Sequence, residues 1–143
     1  MRVLVQQDPE APHTIWTAHL LEADIAGFGY TPLEALQNLQ YTILDTVHFA
    51  KENKLADPLV SLTCPDTDYF EFFQVTMEGG PVGMASGIDL KHHDEDVVLA
   101  VQVEMPTYAQ WSQRLKREDT VHIKIHATCH VLPRSNLRQA IHA

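Results

Sequence analysis

Gly27-Phe28-Gly29-Tyr30-Thr31-Pro32-Leu33-Glu34-Ala35-Leu36-Gln37-Asn38-Leu39 holds the sharpest change of pattern in the chain. Thr31-Pro32-Leu33-Glu34 is a capping box. The Thr31 hydroxyl is placed to accept from the Glu34 amide, and the Glu34 side chain to reach back to the Thr31 amide. Pro32 takes the first helical position, where its missing N–H costs nothing. Leu36, Leu39, Ile43, Val47 and Ala50 then recur every three or four residues. They predict one apolar stripe on a helix over 32–53. At ~1.5 Å per residue such a helix is roughly 33 Å long, enough to cross several strands.

Upstream of the cap the period is two. Residues 2–7 predict a strand with Val3 and Val5 on one face. The segment Asp8-Pro9-Glu10-Ala11-Pro12-His13 predicts a turn, because proline offers no ladder donor and aspartate favours turns. Residues 14–21 predict a second strand, with Trp16, Ala18 and Leu20 opposed to Thr17 and His19. A short third strand over 24–30 is interrupted by Gly27 and Gly29, which permit a bulge or close backbone approach.

Downstream, Asp57-Pro58 and Cys64-Pro65-Asp66 mark 55–68 as mainly loop. The aromatic-rich run 69–77 reads as a fourth strand. Its adjacent Phe72 and Phe73 require either two covered faces or a bulge. Gly79, Gly80, Gly83 and Gly87 read as a turn-rich seam. Beyond it, 97–105 predicts a strand with Val97, Leu99, Val101 and Val103 on one face. Thr107-Tyr108-Ala109-Gln110 is a second capping box, opening a short helix with Tyr108, Trp111 and Leu115 on one side. Arg114, Lys116 and Arg117 near its end complement the helix dipole. Residues 121–131 alternate Val121, Ile123, Ile125, Ala127, Cys129 and Val131 with His122, Lys124, His126, Thr128 and His130. That predicts a strand with one buried face, ended by Pro133. Residues 135–143 form a short helix or tail.

Charge divides the chain unevenly. Of 143 residues, 1–80 carry 12 acids and 3 bases, a net of −9, whereas 81–143 carry 7 of each. An acidic surface repels phosphate backbones and argues against non-specific nucleic-acid binding by 1–80. It suits a basic protein partner. Hydrophobic residues at 45% and charged residues at 20% are ordinary globular values, which excludes a disordered or fibrous chain. No apolar run approaches the roughly 18 residues of a membrane span. The first eight residues are too short and too soon charged for a signal peptide, so a soluble, cytoplasmic chain is expected. Cys64 and Cys129 fit no paired metal spacing and read as reduced thiols, with one disulfide as the alternative.

The order strand, strand, strand, capped helix, strand, with Gly29-x-Thr31-x-x-Glu34-Ala35-x-x-Asn38 preceded by a strand bearing Trp16 and Ala18, resembles the HicB family of antitoxins. The likeness covers residues 1–53 and, with the expected fourth strand, 1–77. It implies a β-β-β-α-β unit, a fragment of the RNase H fold, with a binding role. Family antitoxins cover a small basic RNA-cleaving toxin, and many self-associate and bind an operator through a C-terminal module. Two features depart from the pattern. The frequent Pro-Gly-Cys before the third strand is Asp24-Ile25-Ala26-Gly27 here. Residues 81–143 do not read as a ribbon-helix-helix, because only 12 residues follow 131; DNA binding is therefore in doubt.

Several groups invite catalytic readings. Asp8, Glu22, Asp24 and Asp45 are the candidates for an RNase H-type magnesium site, which needs converging acids. Turn and surface roles explain the same residues. His122, His126 and His130 are four apart, but on a strand that separates them by about 13 Å, too far to share one ion. His92-His93-Asp94-Glu95-Asp96 reads as a solvated turn. Gly79 to Gly87 lacks the lysine and following Ser/Thr of a phosphate loop, and Ser86 lacks a nucleophile elbow. Cys129 and His130 point to opposite faces. Arg114, Lys116, Arg117 and Lys124 form the one basic cluster, best read as a solvated helix end.

The expected architecture is α+β: a HicB-like β-β-β-α-β domain over 1–80, and a β-α-β extension over 81–143 docked on it or continuous with it. The expected function is that of a non-catalytic, antitoxin-like protein binding a small basic protein. It has no catalytic, cofactor or metal residues, and a homo-oligomer is expected. The alternatives are a metal-dependent hydrolase using His, Asp and Glu, and an oligomeric scaffold of the same fold.

Overall fold

The computed structural model describes residues 1–7, 15–61, 65, 67–79, 82–84, 97–113, 124–125 and 128–133. The expected β-β-β-α start is present: β1 (Arg2–Gln7), β2 (Trp16–Leu20), β3 (Ile25–Gly29) and α1 (Pro32–Glu52). Thr31 is the N-cap, in extended conformation, and its hydroxyl accepts from the Glu34 amide at 3.1 Å. Asn53 closes the helix by donating its backbone N–H to Phe49 and Lys51 carbonyls. Leu36, Leu39, Ile43, Val47 and Ala50 are all buried, as their spacing requires.

The remaining elements are α2 (Pro58–Ser61), α3 (Thr67–Gly79), β4 (Val82–Met84), β5 (Val97–Glu104), α4 (Tyr108–Gln113), β6 (Lys124–Ile125) and β7 (Thr128–Pro133). The strands pair antiparallel in the order β3-β2-β1-β5-β7-β4, and β6 pairs with β5 as well. In register, Val3 lies opposite Leu20 on one side and opposite Val101 on the other.

Two expectations need correction here. Residues 69–77 are not the fourth strand; they lie within α3. Tyr69 and Phe73 are one helical turn apart, with Thr76 and Met77 one turn further on, and that face meets the sheet. Their high strand propensity yields to tertiary packing. The strand that lies beside β1 is β5, so segments on both sides of residue 80 form one sheet. The expected loop over 55–68 contains the short α2. The expected glycine-rich turn contains β4, which pairs with β7 from Val82 opposite His130 to Met84 opposite Thr128. Of the expected strand 121–131, residues 124–125 form β6 and 128–131 lie in β7, which runs on to Pro133. Residues 121–123 and 126–127 lie outside the described residues, as do Leu115 and 135–143.

The sheet has helices on both faces. Val3, Val5, Trp16, Ala18, Leu20, Leu99, Val101 and Val103 pack with α1, Leu59 of α2 and Trp111 of α4. Leu4, Val98 and Ala100 alternate to the other face, where they meet Phe73 of α3. The second capping box is complete. The Thr107 amide donates to Gln110 Oε1 at 2.8 Å, and the Gln110 amide donates to Thr107 Oγ1 at 3.2 Å. Among the described residues no helix is long and apolar enough to cross a membrane.

Candidate interaction surface at the β3 edge

β3 is the terminal strand of the sheet: among the described residues only β2 pairs with it. The motif around it positions that edge. A Cβ on Gly27 would lie 2.1 Å from the Leu39 backbone nitrogen and 2.6 Å from the Ala35 carbonyl oxygen. A Cβ on Gly29 would lie 2.6 Å from the Ala35 nitrogen. The two glycines thus let strand and helix backbones touch, and Ala35, buried beside them, leaves room for that contact. Thr31 caps the helix that results. The Asn38 side-chain amide then donates to the Phe28 carbonyl. Gly29, Thr31, Ala35 and Asn38 of this motif each help to fix α1 against β3.

That last bond also orients the edge. A Phe28 carbonyl bonded to α1 is directed away from β2, so Thr17 and Phe28 form a non-hydrogen-bonded pair of the antiparallel ladder. His19 and Ala26, two residues along, belong to the same class. The N–H and C=O of Ala26 and the N–H of Phe28 therefore point outward from the sheet.

The side chains on the α3 face are partly bare. α3 lies over β1, β5 and β7. At β2 it reaches His19, whose ring meets Tyr69 edge-to-face at 5.3 Å between centroids. Beyond it, Thr17 and Ala26 are half-buried and Phe28 is 54% exposed. Tyr30, just past the strand, is 72% exposed.

Acids border this surface. Asp24 adopts φ 52° in the β2–β3 turn, a left-handed conformation that aspartate tolerates, and accepts from or bonds His19 Nε2 at 2.8 Å. Glu22 in the same turn takes the Arg2 backbone N–H at 2.8 Å and the Arg2 Nε at 3.1 Å. The Arg2 guanidinium lies over the Phe70 ring at 4.7 Å, which ties β1, the turn and α3 together. Glu34 stands past the other end of β3, in the first turn of α1 on the opposite face of the sheet. Between Val3 and Ala50 the sequence has six acids and no lysine or arginine.

The acids weighed for catalysis are placed as follows. Glu22 faces Arg2, Asp24 faces His19, and Asp45 is exposed on α1; Asp8 lies outside the described residues. Among the described residues no three His, Cys, Asp or Glu side chains are grouped to hold a metal ion. His130 lies in β7 opposite Ala100, and Cys129 opposite Gly83. Lys124 lies in β6 opposite Glu104. Cys64, Ser86, residues 92–96, Arg114, Lys116, Arg117, His122 and His126 lie outside the described residues. The sequence pointed to strand edges as the contact surface without singling out β3; the one local signal for it was Phe28 and Tyr30 alternating with the glycines. Comparison with family models, with curated proteins and with solved structures finds no match.

Proposed function

We propose that this chain is an antitoxin-like, non-catalytic binding protein that recognises a small basic protein. The observation that carries this reading is the surface around β3: a strand edge that no second strand among the described residues pairs, with exposed Phe28 and Tyr30, in a stretch with acids and no lysine or arginine. Aromatic groups supply contact area, and opposite charge steers encounter and selects the partner. The likeness of Gly29 to Asn38 to the HicB pattern supports the same class of partner. The reading includes a cytoplasmic location and a homo-oligomer, the latter checked by sedimentation. No operator-binding role is included.

The test is to identify the adjoining genes and, where one encodes a small basic protein, to co-purify the two, followed by an RNA-cleavage assay of that protein alone and in complex; an adjoining gene set without such a protein also counts against the reading. A complex that weakens as salt rises, with cleavage suppressed, is the expected result. No complex and unchanged cleavage would overturn the reading.

A further inference from the structure

We propose that the basic partner binds by adding a strand of its own to the edge of β3 that no strand among the described residues covers, with lysine or arginine side chains meeting Asp24 and Glu34. This rests on the function proposed above and specifies how the same surface is used. Edge strands accept a further strand through their outward backbone groups, while side-chain pockets select its sequence. On β3 those groups are the N–H and C=O of Ala26 and the N–H of Phe28, because Asn38 already occupies the Phe28 carbonyl. Phe28 presents its ring on the α3 face, which favours an apolar side chain there on the incoming strand.

Charge decides between occupants. A second copy of this chain pairing β3 to β3 would bring Asp24 and Glu34 against the same acids, with no lysine or arginine from Val3 to Ala50 to offset them. Like charges across strands destabilise a pair. A basic strand meets the opposite situation, with Asp24 at one end of β3 and Glu34 past the other.

Amide hydrogen exchange on the full chain tests this, with a short blocked peptide of alternating lysine and valine as the probe and its glutamate counterpart as control. The lysine peptide should slow exchange at Ala26 and Phe28 by about tenfold or more, and the glutamate peptide should not. The variant Ala26→Pro removes an outward N–H and spares the β2 ladder; it should abolish that protection. Asp24→Asn with Glu34→Gln keeps the turn and cap chemistry and should weaken peptide binding roughly two- to tenfold. This pair and the wild-type exchange data decide the matter if the proline variant does not fold.

Protection by the lysine peptide that falls elsewhere overturns strand addition. So does adjoining-gene protein bound equally by wild type and a folded Ala26→Pro variant, an outcome that leaves the proposed function standing. Protection of β3 that grows with protein concentration alone, with a doubled solution mass, overturns it in favour of a second copy. Failure of wild type to bind the basic protein overturns the function and this inference with it.

Discussion

Gly27→Ala should be among the most damaging single substitutions in the molecule. The added methyl would lie 2.1 Å from the Leu39 nitrogen, 2.5 Å from its Cα and 2.6 Å from the Ala35 carbonyl oxygen. All three are backbone atoms of α1, so no rotamer change relieves the contact. Restoring an ordinary separation of 3.4 Å requires the helix to retreat by about 1.3 Å from β3. α1 buries Ala35, Leu36, Leu39, Ile43 and Val47 against the sheet. A gap of even ~0.5–1 Å removes a quarter to a half of the dispersion energy of the atoms that line it. Overpacking ordinarily costs ~1–3 kcal/mol. With an unyielding backbone as the obstacle, about 3 kcal/mol or more is expected, a large part of the ~5–15 kcal/mol that stabilises a domain. The assay is urea unfolding followed by circular dichroism, with Ala26→Ser on the opposite face as the control. A Gly27→Ala midpoint corresponding to less than about 0.5 kcal/mol of destabilisation would refute the close backbone contact.

Three other substitutions probe separate parts of the fold. Thr31→Ala removes the side-chain acceptor of the Glu34 amide and should cost about 1 kcal/mol in urea unfolding, with Thr31→Ser close to wild type; equal behaviour of the two would contradict the cap. Phe73→Ala should cost ~3–5 kcal/mol and Glu71→Ala less than ~0.5, because the helix puts Phe73 on the sheet and Glu71 in solvent; a strand would set both on one face, and comparable losses would restore that reading. The Trp111 indole N–H is buried and has no hydrogen-bond partner among the described residues. Trp111→Phe removes that donor and should cost under ~1.5 kcal/mol, against ~3–5 for Trp111→Ala; thermal unfolding that ranks them equal would argue for a bonded indole.

The first half of the fold was legible where local chemistry and tertiary placement agree. The Thr31 cap, the stripe from Leu36 to Ala50, and the alternation of Trp16, Ala18 and Leu20 each determine their element with little help from elsewhere. Tyr69 to Met77 failed because aromatic and β-branched residues favour strands locally. The four-residue step from Tyr69 to Phe73 was the competing signal, and packing under β1 and β5 made it prevail. The choice of β5 as neighbour to β1 has no local signature: both strands are buried and alternate, and their pairing joins residues about a hundred positions apart. The β3 edge was half legible. Asn38 belonged to a recognisable motif, but its bond to the Phe28 carbonyl, which orients the edge, exists only once α1 is docked.

The placement of β5 between β1 and β7 has a consequence for synthesis. β1 leaves the ribosome early, yet its second partner spans Val97–Glu104. Roughly fifty residues separate the end of α1 from the end of β5, and at ~5–20 residues per second that is a wait of about 3–10 s. Throughout it, among the described residues, β1 is a second open edge beside β3. A nascent chain stalled before β5 would thus display two pairing edges where the finished protein displays β3 alone at that end of the sheet.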